Sequence, residues 1–102
     1  MGSFRVKFEL GPLAAETSEP LEGLVDTGAT YTWVPRETLL RLGIQPEEER
    51  PFVLADGRQV LYGIAWVRVR IDGHTQPTIV VFGDAGSEPL LGVFTLEGFG
   101  LA

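Results

Sequence analysis

The sequence contains no cysteine, and this absence excludes several classes of protein. Disulfide bonds, catalysis by a thiolate and zinc sites built on sulfur all require cysteine. Histidine is nearly absent too, because His74 stands alone, and the paired histidines of common metal-binding motifs are therefore missing. Carboxylates could still hold a hard cation. We nevertheless expect no metal and no other cofactor.

Positive charge and long apolar runs are also scarce. The net charge is −6, and the 8 lysines and arginines form no cluster, so the electrostatic footprint of a nucleic-acid-binding protein is missing. No apolar run reaches the roughly 18 residues of a membrane span, and no apolar region follows a basic start as in a secretory signal. We therefore expect a cytoplasmic protein that binds neither nucleic acid nor membrane.

What the sequence does contain is typical of a small β-rich globular protein. Its 102 residues are 44% hydrophobic, enough for one modest core, and we expect a single domain over residues 1–102. Thirteen glycines and seven prolines favour many turns, and hence short strands, over a helical bundle. The predicted fold class is mostly β: a small closed or folded antiparallel sheet with one or two short helices.

Alternating and β-branched segments predict where the strands lie. Apolar and charged residues alternate from Phe4 to Leu10, and a solvated loop is expected at residues 11–20. The pairs Asp56-Gly57 and Asp72-Gly73 each stand between apolar runs and predict hairpin turns. In residues 66–71 the apolar Val67, Val69 and Ile71 alternate with Trp66, Arg68 and Arg70, which predicts a strand with one buried face. Further strands are predicted at residues 21–25, 31–34, 52–54, 59–62, 78–82 and 90–92.

Two short helices are also predicted. Pro35 suits a first helical position, residues 36–42 form the helix body, and Gly43 is a good residue to follow the helix end. An acidic loop is expected at residues 45–51, and a second helix of one or two turns at residues 93–98. The stripe of the first helix that is expected to face the core consists of Leu39, Leu40, Leu42 and Ile44.

The segment around Asp26 is the clearest candidate for chemistry. Two apolar residues lead an extended segment into Asp26, Thr27 and Gly28, and the glycine allows a sharp turn. A strand that delivers one aspartate onto a tight turn holds the carboxylate at the end of a rigid element. Taken alone, Asp-Thr-Gly is a weak signal, and by itself it favours an aspartate that only caps or starts a turn. Two further motifs favour the catalytic interpretation.

The order of three motifs resembles the retroviral-type, or retropepsin-like, aspartic proteases, and especially the small prokaryotic members of that clan. The resemblance spans Phe4 to about Leu101, and its motifs are Leu24-Val25-Asp26-Thr27-Gly28-Ala29-Thr30, the turn Leu54-Ala55-Asp56-Gly57-Arg58, and Leu90-Leu91-Gly92 followed by a helix. It implies a protomer that becomes an endopeptidase only as a symmetric homodimer, with a peptide or protein as substrate. Each protomer would contribute one catalytic aspartate, and a flap hairpin would close over the substrate.

The resemblance also implies a role for each motif. Two Asp26 carboxylates about 3 Å apart cannot both ionise, so they would share one proton and activate a water molecule between them. Thr27 resembles the residue whose hydroxyl bonds across the dimer, Gly28 would leave room for the substrate backbone, and Ala29 and Thr30 would line the cleft. The flap tip would consist of Ala55, Asp56, Gly57 and Arg58, and the apolar support behind the catalytic turn of Leu90, Leu91 and Gly92.

Three features depart from the viral pattern. Many retroviral members pair an acidic residue after Asp-Thr-Gly-Ala with an arginine directly after the late glycine, and here these positions hold Thr30 and Val93. Because both partners are missing together, no buried charge is left unpaired, and hydrogen bonding to substrate at Thr30 must differ. The flap has one glycine, Gly57, where viral flaps have several. Viral protomers dimerise largely through strands at both chain ends, whereas here only residues 1–3 precede the first strand and little follows Leu101, so we expect most of that shared terminal sheet to be missing. Either a dimer uses another surface, or further residues complete the sheet, or the chain is a monomer.

The alternative is a catalytically silent domain of the same fold that binds a peptide or a protein partner. Strand edges left exposed by short termini would suit binding by strand addition. Association state distinguishes the two hypotheses, because a monomer holds a single Asp26 and has no pair of carboxylates.

Overall fold

The computed structural model describes residues 4–101, which form seven strands and two short helices. This arrangement confirms the prediction of a mostly β fold with two short helices. The elements, in chain order, are β1 (Arg5–Pro12), β2 (Glu19–Val25), β3 (Thr32–Pro35), α1 (Arg36–Arg41), β4 (Glu48–Val53), β5 (Gln59–Ile71), β6 (His74–Gly83), β7 (Leu90–Leu91) and α2 (Val93–Gly98).

The strands form one sheet in the order β1-β2-β7-β3-β6-β5-β4, and β1 also pairs with β5. The ring of pairings from β1 through β7 and β6 to β5 therefore returns to its start. Most pairings are antiparallel, as predicted, but β2 pairs with β7 and β3 pairs with β6 in parallel. These two parallel pairings join segments that are far apart in the chain, which local sequence patterns cannot reveal. They bring the end of β2, just before Asp26, beside β7.

The core lies on the inward face of the sheet and under both helices. In β5 the alternation predicted from the sequence is confirmed, since Val67, Val69 and Ile71 are buried while Trp66 and Arg70 are exposed. Helix α1 contributes Leu39 to the same core, and helix α2 contributes Leu96. The other core side chains are Phe8, Leu10, Val34, Ile44, Ala65, Val80, Phe82 and Leu91.

Helix α1 differs in two respects from its prediction. Pro35 is the last residue of β3, with ψ of 137°, so the helix begins one residue later than expected. Leu40 was expected in the core-facing stripe, but it is 46% exposed, whereas Leu39 is fully buried. The predicted helix end is confirmed: Gly43 has φ of +80°, and the Ile44 N–H donates to the Leu39 carbonyl 3.0 Å away.

Two segments that were expected to be loops are partly strands. Within the expected acidic loop at residues 45–51, β4 already begins at Glu48, because Glu48–Pro51 pair with β5. Within the expected loop at residues 11–20, Gly11 and Pro12 continue β1 by pairing with Arg68 and Val67 of β5. In both segments pairing with a distant strand overrides the local composition. Among residues 4–101 there is no helix with the length and apolar character needed to cross a bilayer.

Candidate active site

Asp26 follows the last residue of β2, and its backbone continues the parallel pairing with β7. Leu24 and Val25 lie opposite Leu90 and Leu91, and the Asp26 N–H donates to the Leu91 carbonyl over 3.0 Å. The Asp26 carbonyl then accepts from the Ala29 N–H over 3.1 Å, which closes a tight turn. The backbone at Asp26 is therefore fixed from both sides.

The Asp26 side chain is oriented by the same turn. Its Oδ1 accepts a hydrogen bond from the Gly28 N–H over 2.9 Å, as in an Asx turn. A Cβ at position 28 would come within 3.2 Å of that oxygen, which is tighter than ordinary contact. Asp26 is half-buried, while Thr27 and Gly28 are exposed. The loop thus presents a held carboxylate at the protein surface, where a substrate or a second chain can reach it.

The segment after the loop is bonded to the start of α2. The N–H groups of Val93 and Phe94 donate to the carbonyls of Ala29 and Thr30, each over 2.9 Å. The first N–H groups of a helix have no partner within the helix, so the loop carbonyls satisfy donors that α2 would otherwise leave unpaired. Thr30 and Val93 occupy the positions of the acidic residue and the arginine that pair in many retroviral members. Here the two segments are joined by backbone hydrogen bonds instead.

Gly92 permits this close packing. A Cβ built at position 92 would overlap the carbonyl group of Tyr31 and lie 2.9 Å from the carbonyl oxygen of Ala29. The segment predicted to support the catalytic turn accordingly lies directly against it. Leu91 is fully buried in the core, and Leu90 is partly buried between Leu24 and Trp33, its neighbours on β2 and β3.

A chain of buried threonines adjoins this junction, and no pattern in the sequence predicted it. The Thr32 and Thr95 hydroxyl oxygens are 2.6 Å apart, and those of Thr78 and Thr95 are 2.8 Å apart. The Thr32 hydroxyl also accepts from the Gly92 N–H over 3.2 Å. The three residues belong to β3, β6 and α2, so no local spacing could have joined them. The only signal was a threonine at an apolar position of each element.

The predicted flap tip is the turn of the β4–β5 hairpin. The Leu54 N–H donates to the Arg58 carbonyl over 2.8 Å, and the Gly57 N–H donates to the Leu54 carbonyl over 2.9 Å. Gly57 has φ of +86°, a conformation that favours glycine. The side chains of Ala55, Asp56 and Arg58 are all exposed. The hairpin predicted from Asp56-Gly57 is therefore confirmed.

Asp56 stabilises the turn with both of its carboxylate oxygens. The Arg58 N–H donates to Oδ1 over 3.1 Å, and the Arg58 side-chain Nε donates to Oδ2 over 2.6 Å. The backbone hydrogen bond from Arg58, and then the one from its side chain, lower the pKa of Asp56 below its ordinary value.

Three aromatic rings join the base of the flap to the strand that follows the Asp26 loop. Trp33 of β3 packs edge-to-face against Phe52 of β4 and Tyr62 of β5, with ring centroids 5.1 and 4.9 Å apart. Phe52 and Tyr62 also contact each other at 6.0 Å. Because Thr32 and Val34 face the core, Trp33 points to the opposite side of β3, where the flap lies. Among residues 4–101, no hydrogen bond joins the flap turn itself to the Asp26 loop.

A second aromatic group lies beside the loop, on the surface. Tyr31 and Trp66 each pack edge-to-face against Phe94 at 6.1 Å, and the guanidinium of Arg50 lies 5.8 Å from the Tyr31 ring centroid. Trp66 and Phe94 are both substantially exposed. Within the described part of the chain, no group of three or more histidine, aspartate or glutamate side chains comes together in an arrangement that could hold a metal ion.

Comparison with known protein families gives one match that covers most of the chain. The model of the family described as "gag-polyprotein putative aspartyl protease" matches residues 17–97, which include the Asp26 loop, the flap and most of α2. Among curated proteins, no sequence matches this chain at a significant level.

Comparison with solved structures gives similar folds at low sequence identity. The protease of equine infectious anaemia virus, solved with the inhibitor HBY-793, has a TM-score of 0.73 and 18% identity, over 99% of this chain and 91% of that one. The simian foamy virus protease has a TM-score of 0.69 and 16% identity, over 97% and 98%. A retropepsin-like aspartic protease from Rickettsia conorii has a TM-score of 0.63 and 18% identity, over 94% and 79%. The chain has the fold of these proteases.

Proposed function

The chain belongs to the gag-polyprotein family of aspartyl proteases, and on that basis we propose that it is an aspartic endopeptidase that acts as a homodimer. The observation that carries the proposal is the way Asp26 is held. Its amide is bonded to Leu91, its side chain to Gly28, and the loop that follows it to the first turn of α2. A reacting group needs this kind of support, because small displacements at an active site cost large factors in rate.

The proposed chemistry uses two copies of Asp26. Two carboxylates about 3 Å apart share one proton, because both cannot be ionised at that distance. The ionised carboxylate would take a proton from a water molecule while the oxygen of that water attacks the peptide carbonyl carbon. The protonated carboxylate would supply the proton that the departing amide nitrogen needs. The two groups titrate as a pair, so a pH–rate profile reports two macroscopic pKa values.

The proposal needs a partner copy, because among residues 4–101 no second aspartate lies in an equivalent position. Asp56 is paired with Arg58 at the flap tip, and Asp72 lies in the two-residue turn between β5 and β6. Asp84 lies near the Tyr62 hydroxyl, 3.4 Å away. A two-fold axis beside the exposed Thr27 and Gly28 would bring two Asp26 loops together.

The substrate we propose is an extended peptide segment held between the Asp26 loops and the flaps. The exposed turn at residues 55–58 is suited to contact such a segment. Among residues 4–101, β4 pairs only with β5, so its outer edge is available for backbone hydrogen bonds to a peptide. The protease of equine infectious anaemia virus, which has a similar fold, has been solved with an inhibitor bound.

The test combines association state with cleavage. Sedimentation of the full chain gives the assembled mass, and cleavage of a mixed peptide library is measured at acidic and neutral pH. We expect a dimer, and Asp26→Asn is expected to lose activity by about a thousandfold or more. Asp72→Asn is the matched control, because it makes the same chemical change in a turn and asparagine tolerates the positive φ of 54° at that position. A dimer in which Asp26→Asn still cleaves would overturn the proposal.

The catalytically silent alternative is distinguished by the same experiment. A strict monomer that cleaves no peptide at either pH would favour a module that binds a peptide along the free edge of β4. In that protein, Asp26→Asn and Asp72→Asn would bind peptide equally well.

A further inference from the structure

Thr32, Thr78 and Thr95 form a continuous hydrogen-bonded chain, and the other largest fully buried side chains around them are apolar. Their relative exposures are 0%, 1% and 1%, and neighbouring hydroxyl oxygens in the chain are 2.6 and 2.8 Å apart. A buried hydroxyl is costly unless it is hydrogen-bonded, and a valine has nearly the same shape without that cost. Three hydroxyls in contact at this depth therefore need an explanation that packing alone does not give.

The chain of threonines ends on the backbone that supports Asp26. The Thr32 hydroxyl accepts from the Gly92 N–H over 3.2 Å. On one side of Gly92, the Leu91 carbonyl accepts from the Asp26 N–H; on the other, the Val93 N–H donates to Ala29. Gly92 has no side chain of its own to pack, so its position depends on these neighbours and on the Thr32 hydroxyl.

Helix α2 also depends on Thr95 for its attachment. The helix has six residues, and no side chain caps its N-terminus. Thr95 lies in the middle of the helix and bonds to a residue of β3 and to one of β6. It thereby ties the helix to two strands that pair in parallel with each other.

We propose that Thr95 is a positioning residue, which acts through Thr32 and Gly92 to set where the Asp26 loop presents its carboxylate. The inference rests on the proposed aspartic protease function. In the arrangement in which Thr32 donates to Thr95 and Thr95 donates to Thr78, each of these two hydroxyls accepts one hydrogen bond and donates one, so the bonds strengthen one another. Removal of the central hydroxyl breaks the chain on both sides.

The catalytic consequence concerns the distance between the two carboxylates of the dimer. Their mutual repulsion separates the two macroscopic pKa values of the pair, and this separation sets the width of the pH–rate profile. A loop that is held less firmly lets the carboxylates move apart, which reduces the separation of the two pKa values. The acidic and alkaline limbs of the pH–rate profile then approach each other. Loss of folded protein would lower the activity without moving either limb.

The first test compares three variants of the full chain in peptide cleavage, with rates expressed per folded dimer. In Thr95→Val we expect kcat to fall about tenfold and the pH profile to narrow. Thr95→Ser, which keeps the hydroxyl, is expected to restore the wild-type profile. Thr38→Val is the control, since Thr38 is a buried threonine on α1 and, in the described part of the chain, has no hydrogen bond to any of the three. A folded Thr95→Val dimer with the wild-type kcat and a pH–rate profile of wild-type width would overturn the proposal.

The second test does not depend on cleavage and so separates this proposal from the proposed function. Amide hydrogen exchange is measured by NMR at Asp26, Gly92 and Val93. In Thr95→Val we expect exchange at these amides about tenfold faster than in Thr38→Val, because the bonds that protect them are weakened. Equal exchange in the two variants would overturn the proposal even if the wild type cleaves peptides. If the wild type does not cleave, faster exchange still supports the positioning role, and only the proposed function fails.

A third variant covers the case in which Thr95→Val does not fold. Thr78→Val removes the far end of the chain and leaves the Thr32–Thr95 contact in place. It is expected to increase exchange at Gly92 by a smaller factor, about threefold. No increase at Gly92 in Thr78→Val would count against the proposal.

Discussion

Gly92 lies so close to the backbone of Tyr31 that no side chain fits between them. A Cβ at position 92 would overlap the Tyr31 carbonyl group and come within 2.9 Å of the Ala29 carbonyl oxygen. The contact is between two pieces of backbone, neither of which can rotate away. It joins the segment after the Asp26 loop to the junction of β7 and α2, and it makes the loop sensitive to a single added methyl group.

The first prediction follows from this contact. Gly92→Ala is expected to destabilise the protein by about 3 kcal/mol, because the added methyl forces backbone apart in a well-packed region. Chemical denaturation measures the change in the free energy of unfolding. Gly98→Ala is the matched control: it lies at the end of α2 with open space around its Cβ position, and it is expected to be neutral or stabilising by up to about 1 kcal/mol. A Gly92→Ala protein as stable as Gly98→Ala would contradict the account.

A second prediction concerns the aromatic base of the flap. Phe52→Ala removes two edge-to-face contacts, with Trp33 and Tyr62, and is expected to destabilise the hairpin by about 1–2 kcal/mol. Hydrogen exchange at the Leu54 and Gly57 amides, which are bonded across the turn, should become faster. Val53→Ala, at the next residue and 69% exposed, should leave exchange nearly unchanged. Similar exchange in the two variants would show that the rings do not hold the flap.

The third prediction is a pH dependence of the flap tip. The pKa of Asp56 lies below its ordinary value of 3.8, because its ionised form accepts hydrogen bonds from the Arg58 backbone and side chain. Since the folded pKa is depressed, the stabilisation is complete above the unfolded value and is lost as the pH falls through the folded value. The chemical shift of the Arg58 amide should therefore titrate with a midpoint below 3.8. Asp56→Asn should abolish the titration. A midpoint at or above the ordinary value would contradict the prediction.

Local patterns predicted the elements whose structure depends on near neighbours. The alternation of Val67 and Val69 with charged residues gave the buried face of β5. The turn at Asp72-Gly73 has φ values of 54° and 84°, a geometry that such a pair favours. The wrong predictions concern features that are set by pairing or packing with residues far away in the sequence. Pro12 continues a strand because β5 lies beside it, and Leu40 is exposed because the helix rests on Leu39.

The same division applies to the candidate site. The motif around Asp26 was visible because its turn is local, and the hydrogen bond from the Gly28 N–H to the carboxylate lies within that turn. The threonine chain was not visible, because Thr32 and Thr95 are 63 residues apart and a threonine in a strand is ordinary. The bonds from α2 to the loop were hidden for a further reason. They use backbone groups of Val93 and Phe94, which leave no trace in residue type.

Mixing of two kinds of chain tests whether each active site needs one Asp26 from each of two protomers. Wild-type chain and Asp26→Asn are combined in equal amounts, unfolded, refolded together and assayed for peptide cleavage at constant total protein. Random pairing makes about one quarter of the dimers fully wild type, so we expect about one quarter of the wild-type activity. Retention of about one half would mean that each protomer cleaves by itself, and it would contradict the shared pair of carboxylates.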